Sequence, residues 1–249
     1  MATTPTAPEA APQAETSALG RITGVLFNPK ETFADIARKP SWIAPILILT
    51  VLSIVVVFTM NKRIDWHDYM RKQIEASPRA SQIPPERLPA IIDQQATWAP
   101  RIAYCLGALG TILGVLWFTL VFWLGLKALA GSDMKFGTAF GITAHAQLPH
   151  LIAAPLAIVI LFLKGFGEAD PEHLLATSAW SFLSSDAPKW QQALAGSFEL
   201  FWFWVIYLMA VGYSAASPKK VSVGKALGII IGIWLLGVFI KVAMTAAFS

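Results

Sequence analysis

Charged residues are scarce in this chain of 249 amino acids. They make up 14% of it, whereas hydrophobic residues make up 55% and the mean hydropathy is +0.58. A soluble domain carries roughly a quarter charged residues because its surface faces water, so the shortage excludes a water-soluble globular fold. The formal net charge of +4 is small, and we interpret it as complementary to a membrane surface. We expect the lipid bilayer as a partner and no nucleic acid.

Cysteine and recognisable catalytic motifs are also missing. The single cysteine, Cys105, excludes a disulfide framework and a zinc site built from cysteines. The chain contains no His-Glu-x-x-His, no Gly-x-x-x-x-Gly-Lys and no Gly-x-Ser-x-Gly motif. We therefore expect no catalytic residues, no metal ion and no cofactor, and we predict that the protein is not an enzyme.

Long apolar runs, by contrast, are abundant. Runs of about 18 or more apolar residues mark bilayer-crossing segments, and they are helical because lipid offers no partner for backbone polar groups. The predicted fold is an all-α polytopic membrane protein, a five-transmembrane-helix bundle with an N-terminal amphipathic helix. The predicted spans are 42–60, 102–126, 136–163, 193–217 and 221–247, within a membrane domain over 42–247.

Three other segments flank or interrupt these spans. Residues 1–17 are rich in Ala, Thr, Pro and Glu, and we interpret them as a disordered tail because they cannot bury enough apolar surface to offset ordering. Residues 18–41 are predicted to form an amphipathic, interfacial segment. Residues 61–101 are predicted to be extramembrane, with a hairpin or amphipathic helix that Pro100 closes.

The sequence of the interfacial segment predicts where a helix begins. Asn28 is the predicted N-cap, Pro29 occupies the first helical position, and Glu31 closes a capping box. Phe33 and Ile36 then share one face of the helix. Since so short a helix is marginal in water, we expect that face to rest on the membrane surface.

Loop charges indicate an orientation. The connection between the fourth and fifth spans carries Lys219, Lys220 and Lys225 without any acid. Because cytoplasmic loops carry the excess of lysine and arginine, we expect this loop and the N-terminus to be cytoplasmic. The predicted location is the bacterial cytoplasmic (inner) membrane.

Polar residues of the third span form the most suggestive site. His145, Gln147, Pro149 and His150 lie where an unpaired polar group is costly. One interpretation is a proton relay or small-ion site, completed by Glu199 near the start of the fourth span. The other is structural: Pro149 kinks the helix, and the histidines pair with nearby carbonyl groups. Glu199 either pairs with a basic residue of the bundle or lies at headgroup depth.

Glycines recur at helical spacing in three spans. Small residues four positions apart allow helix backbones to approach closely, which is how bundles associate in lipid. We expect packing within the chain rather than dimerisation, which remains an alternative. The glycines concerned are Gly107, Gly110, Gly114, Gly137, Gly141, Gly224, Gly228 and Gly232.

The approach to the first span resembles that of bacterial members of the Yip family, named for the Ypt/Rab-interacting proteins. The resemblance covers roughly residues 19–247 and includes the five-span layout. It implies a helical membrane core, a cytoplasmic N-terminus and no established catalytic chemistry. The motifs that carry it are Gly24-Val25-Leu26-Phe27-Asn28-Pro29-Lys30-Glu31-Thr32-Phe33, followed by Ile36, Pro40, Trp42 and Pro45, and, in the third span, Phe140-Gly141-Ile142-Thr143 and Leu148-Pro149.

The resemblance also bears on partners. Eukaryotic relatives act in vesicle trafficking through Rab GTPases, and some bacterial relatives are associated with ABC-type exporters. This chain lacks the Asp-Leu-Tyr-Gly-Pro element that precedes the first span in the eukaryotic pattern, which argues against Rab binding.

Three functions follow as hypotheses. The first is a non-enzymatic membrane scaffold or accessory protein that binds another integral membrane protein or complex, such as an ABC-type exporter. The second is a small transporter or channel that uses the polar residues of the third and fourth spans. The third is a lipid-shaping protein that acts through Phe33 and Ile36 on the membrane surface.

Overall fold

The computed structural model describes residues 17–77, 82–170, 174–184 and 187–248. Over these ranges the chain is all-helical, without β-strands, as predicted. All of the predicted tail except Ser17 lies outside the described residues. Ser17 caps the first helix, since its hydroxyl accepts a hydrogen bond from the Gly20 amide. The helices are α1 (Ala18–Phe27), α2 (Pro29–Arg38), α3 (Ile43–Arg63), α4 (Trp66–Glu75), α5 (Leu88–Ala130), α6 (Phe136–Ala146), α7 (His150–Leu163), α8 (Lys189–Ser197), α9 (Leu200–Ala216) and α10 (Val223–Phe248), with a short 3-10 turn at Ala179–Phe182.

Four stretches of the described chain are long and apolar enough to cross a membrane. They are α3, α5, the α6–α7 pair taken together, and α10. The range predicted for the fourth span, 193–217, holds the end of α8 and then α9. With 17 residues, α9 is about 26 Å long, slightly less than the hydrocarbon core of about 30 Å.

α5 is far longer than a membrane span. Its 43 residues extend about 65 Å, roughly twice the hydrocarbon thickness. The prediction that Pro100 closes a separate helix is wrong, because α5 runs through Pro100. A proline removes one backbone hydrogen bond but keeps a helical φ, and α4 packs beside this part of α5. At its other end α5 stops at Gly131, whose φ of +63° favours glycine.

The third span is interrupted at residues 147–149. α6 ends at Ala146 and α7 begins at His150, and the backbone bonds between them reach back three residues instead of four. Pro149, at the N-cap of α7, has no N–H to continue the ladder. The predicted disturbance of the helix is therefore a break between two helices.

The N-terminal hairpin of α1 and α2 packs into the bundle. α2 contacts α6 and α9, and the side chains of Phe33 and Ile36 are completely buried in the main hydrophobic core. This corrects the expectation that Phe33 and Ile36 rest on the membrane surface. α2 does have one apolar face, as predicted, but α6 and α9 cover it, so it is not available to lipid.

The start of α2 is partly as predicted. Asn28 is the N-cap and Pro29 opens the helix. The capping box is corrected, however, because the Asn28 side chain accepts no backbone hydrogen bond. Its amide instead donates to the Glu31 carboxylate at 2.5 Å. The two side chains satisfy each other rather than the free backbone N–H groups of the helix.

Candidate functional site

The two histidines of the third span lie on opposite sides of the break and bond to their own segment. His145 is buried in α6, and its Nδ1 donates to the Gly141 carbonyl at 2.8 Å. His150 opens α7, and its Nδ1 donates to the Gln147 carbonyl at 2.9 Å. The structural interpretation, in which the histidines pair with nearby carbonyl groups around Pro149, predicts bonds of this kind.

Gln147 occupies the break itself. Its side chain is only 8% exposed. The Nε2 atom is buried, and none of the described residues offers it a hydrogen-bond partner. A buried amide donor without an acceptor is unusual in a folded protein, because its lost hydration is not replaced.

Glu199 caps α9. One carboxylate oxygen accepts from the Trp202 amide at 2.8 Å, and the other accepts from the Thr177 hydroxyl at 2.9 Å. A carboxylate is favourable at a helix N-terminus, where free N–H groups and the helix dipole meet it. Among the described residues Glu199 forms no ion pair with Lys164 or His150, two basic residues with which a pair within the bundle could have formed.

A cavity of about 990 Å³ nevertheless brings two predicted residues together. His150 and Glu199 both line it, together with Lys241. Lys241 contacts Ser197 through a hydrogen bond of 3.3 Å. We call this space the polar cavity; it lies among α3, α4, α7, α8, α9 and α10. His145 is not on its wall.

A second cavity of about 340 Å³ adjoins the first. Its walls come from α3, α5 and the break in the third span, and they include Gly110, Gly114 and Gln147. Val56 and His150 line both cavities, as does Ala154. We call this second space the apolar cavity, since aliphatic side chains and glycines form most of its wall.

The predicted glycines divide into two groups. A side chain at Gly107 would meet Val57 and Ser53, and one at Gly141 would meet the Ser41 backbone at 2.9 Å, so these two pack within the chain as expected. The others are corrected, because a Cβ atom there would meet nothing within 4 Å among the described residues. These open positions are Gly110, Gly114, Gly137, Gly224, Gly228 and Gly232.

The structure adds polar contacts that the sequence analysis missed. Arg21 is buried and pairs with Asp35 at 2.8 Å, and its guanidinium also donates to the Lys39 carbonyl and the Ser41 hydroxyl. Through these contacts Arg21 of α1 binds α2 and the residues just before the first span. The available signal was a lone arginine within the apolar pattern of α1, where a charge is costly unless it is paired.

Four stretches are long and apolar enough to cross a membrane, and their outer faces expose many large hydrophobic side chains. These features define the class of protein: a multi-pass helical membrane protein. The Yip1 domain family model matches residues 23–244, which is most of the chain. The chain therefore belongs to the Yip1 family, as its resemblance indicated. This is not a known enzyme family. Comparison with curated proteins gives no match, and neither does comparison with solved structures.

Proposed function

We propose that the protein is a non-enzymatic membrane scaffold or accessory subunit that binds another integral membrane protein. An ABC-type exporter is the partner that the resemblance to bacterial Yip proteins favours. We further propose that it resides in the bacterial cytoplasmic membrane with its N-terminus in the cytoplasm, in keeping with the lysines of the α9–α10 loop.

The observation that carries this proposal is the open glycine stripe on α10. Gly224, Gly228 and Gly232 lie one turn apart on an exposed face, and no described atom comes within 4 Å of a Cβ atom placed at any of them. Helices in lipid associate through close backbone approach at such residues. α10 is also the least buried of the four long stretches, so most of its surface is free for a second protein.

A photo-crosslinking amino acid at position 228 tests the proposal in native membranes. We expect a crosslink to a membrane protein other than this chain, identified by mass spectrometry as a subunit of an exporter. Gly228→Leu, combined with the crosslinker at position 232, is expected to abolish that product because the added side chain holds the partner helix away.

Gly237→Leu is the matched control. It makes the same change in the same helix, but Gly237 lies off the stripe and borders a separate cavity of about 430 Å³ with room for a side chain. The crosslink is expected to survive in this variant. Crosslinks only to lipid, or only to a second copy of this chain, contradict the accessory proposal.

A small transporter or channel is the second candidate. It is supported by the polar cavity, which gathers His150, Glu199 and Lys241 from three helices. Ion flux in proteoliposomes that is lost in His150→Ala and Glu199→Gln would favour this candidate over the scaffold. If proteoliposomes with the unaltered protein show no ion flux, the transporter or channel hypothesis is wrong.

A further inference from the structure

We propose that the polar and apolar cavities together bind one glycerophospholipid molecule, with its phosphate headgroup in the polar cavity and an acyl chain in the apolar cavity. This inference goes beyond the scaffold function and does not depend on it. It rests on the adjacency of the two cavities, on the unpaired amide of Gln147, and on the lysines of the polar cavity.

The two cavities are adjacent and differ in polarity. Val56, His150 and Ala154 line both, so the proposed lipid would extend past these side chains from one cavity into the other. Their volumes, about 990 and 340 Å³, fall within or near the range of roughly 300–1,000 Å³ that ligand sites occupy. Several ionisable side chains are part of the wall of one cavity, and aliphatic residues form most of the other, in keeping with the charged headgroup and hydrocarbon chains of a phospholipid.

Gln147 supplies a donor where these compartments meet. It lines the apolar cavity, and its backbone carbonyl accepts from His150, which lines both cavities. Its Nε2 is buried and lacks an acceptor among the described residues, so an uncharged acceptor that reached it from the cavity would satisfy it. The ester carbonyl of a glycerophospholipid is such an acceptor, and it lies between the headgroup and the chain.

The polar cavity provides cations for the phosphate. Lys189 and Lys241 both line it, and ammonium groups bind phosphate oxygens through charge-assisted hydrogen bonds. Glu199 and Asp170 also line this cavity, so its wall carries carboxylates as well as ammonium groups. The Glu199 carboxylate is held by Thr177 and by the start of α9.

The apolar cavity has room for a chain and is walled by membrane helices. Gly110 and Gly114 of α5 border it, and neither would bring a Cβ atom within 4 Å of a described neighbour. The adjoining walls come from α3 and α5, whose outer faces expose large apolar side chains. A ligand with a hydrocarbon tail fits such a wall better than a water-soluble ion does.

The experiment uses the full chain, purified into nanodiscs that contain a phosphatidylethanolamine with a photoactivatable acyl chain. We expect labelled peptides from the α3 and α5 segments that border the apolar cavity. Gly114→Leu fills the cavity, and Gln147→Leu keeps the side-chain size but removes the donor. Each is expected to reduce labelling of these peptides about fivefold, as for the loss of one hydrogen bond or a comparable contact.

Gly137→Leu is the matched control, because Gly137 is equally open but lines neither cavity. Its labelling is expected to equal that of the unaltered protein. Unlabelled phosphatidylethanolamine should compete, whereas diacylglycerol and free fatty acid, which lack the phosphate, should compete weakly.

Two results overturn the inference: labelling that Gly114→Leu leaves unchanged, and competition by diacylglycerol as strong as that by phospholipid. If Gln147→Leu does not fold, Gly114→Leu and Lys241→Gln decide the question. The crosslink from position 228 is recorded for the same variants in native membranes, where a partner protein is present. Because it reports the α10 stripe, failure of the lipid site and failure of the scaffold proposal give different patterns.

Discussion

Asp133 joins two loops at one end of the bundle. It lies between α5 and α6, and its carboxylate accepts from the Ser217 hydroxyl at 3.1 Å and lies 3.3 Å from the Lys220 ammonium. A backbone hydrogen bond within Asp133, the Ser217 hydroxyl and Lys220 together hold the pKa of this carboxyl below its ordinary value of 3.8. The folded protein therefore favours the ionised form.

The sign of the pH dependence follows from this lowered pKa. The contribution of Asp133 to stability is fully present above about pH 4 and is lost as the pH falls through the pKa of the folded state. We expect the difference in thermal unfolding midpoint between the unaltered protein and Asp133→Asn to shrink as the pH is lowered from 6 toward about 3.

Lys220→Gln is the control for this measurement. It removes one charge but leaves the Ser217 hydrogen bond, so part of the pH dependence should remain. A difference between Asp133→Asn and the unaltered protein that is constant over the whole pH range would contradict the prediction, because ionisation of Asp133 would then have no part in it.

Single residues also show how far the candidate site was predictable. The cost of polar groups in lipid indicated His150 and Glu199, and both line the polar cavity. The same cost indicated His145, yet this residue does not line the polar cavity and instead bonds to the Gly141 carbonyl in its own helix. Whether a histidine lines the cavity depends on the side of the break on which its ring lies. Hydropathy along the chain does not contain that information.

At the scale of elements, Gly212 of α9 lies where this helix packs against α2 and α6. A Cβ atom there would collide with Ile142 of α6 and with Phe33 of α2, both completely buried. Gly212→Ala gains helix propensity, up to about 1 kcal/mol. We expect the steric conflict to outweigh this gain and to lower the free energy of unfolding by about 1–3 kcal/mol, measured by denaturant titration in detergent micelles.

Gly228→Ala is the matched control for that change. It stands in α10 with open space around its Cβ position, so only the gain in helix propensity applies. Its stability should stay the same or rise. If Gly212→Ala proved as stable as Gly228→Ala, the close packing of α9 against α6 and α2 would be wrong.

Element boundaries were predictable where lipid dictates them and less so elsewhere. The first and fifth spans were predicted from apolar runs, and helices α3 and α10 begin and end within three residues of the predicted bounds. The continuation of α5 through Pro100 was not predicted, because outside lipid this part of the helix depends on its contacts with α4. For α2 the apolar face at Phe33 was visible in the sequence, but a face pattern does not say whether lipid or protein covers it.

At the scale of the whole molecule, the proposed orientation can be tested with single cysteines. After Cys105→Ser, one cysteine is introduced at Lys164, beyond the end of α7, or at Lys219, beyond the end of α9. Both positions are exposed. With the N-terminus in the cytoplasm, we expect a membrane-impermeant maleimide to label Lys164→Cys in intact cells and to leave Lys219→Cys unlabelled.

Permeabilised cells provide the control, since both variants should then be labelled. Labelling of Lys219→Cys alone in intact cells would reverse the proposed orientation. Labelling of both would mean that the ends of α7 and α9 lie on the same side, contrary to a third and a fourth span that cross the membrane in succession.

The burial of Phe33 against α9 has a consequence for how the chain is made. About 180 residues separate Phe33 from Gly212, and a ribosome adds roughly 5–20 residues each second, so the N-terminal hairpin waits on the order of ten to forty seconds before its docking groove exists. The first helices to emerge are thus among the last to reach their final places. They can dock against α9 only after α9 has been synthesised.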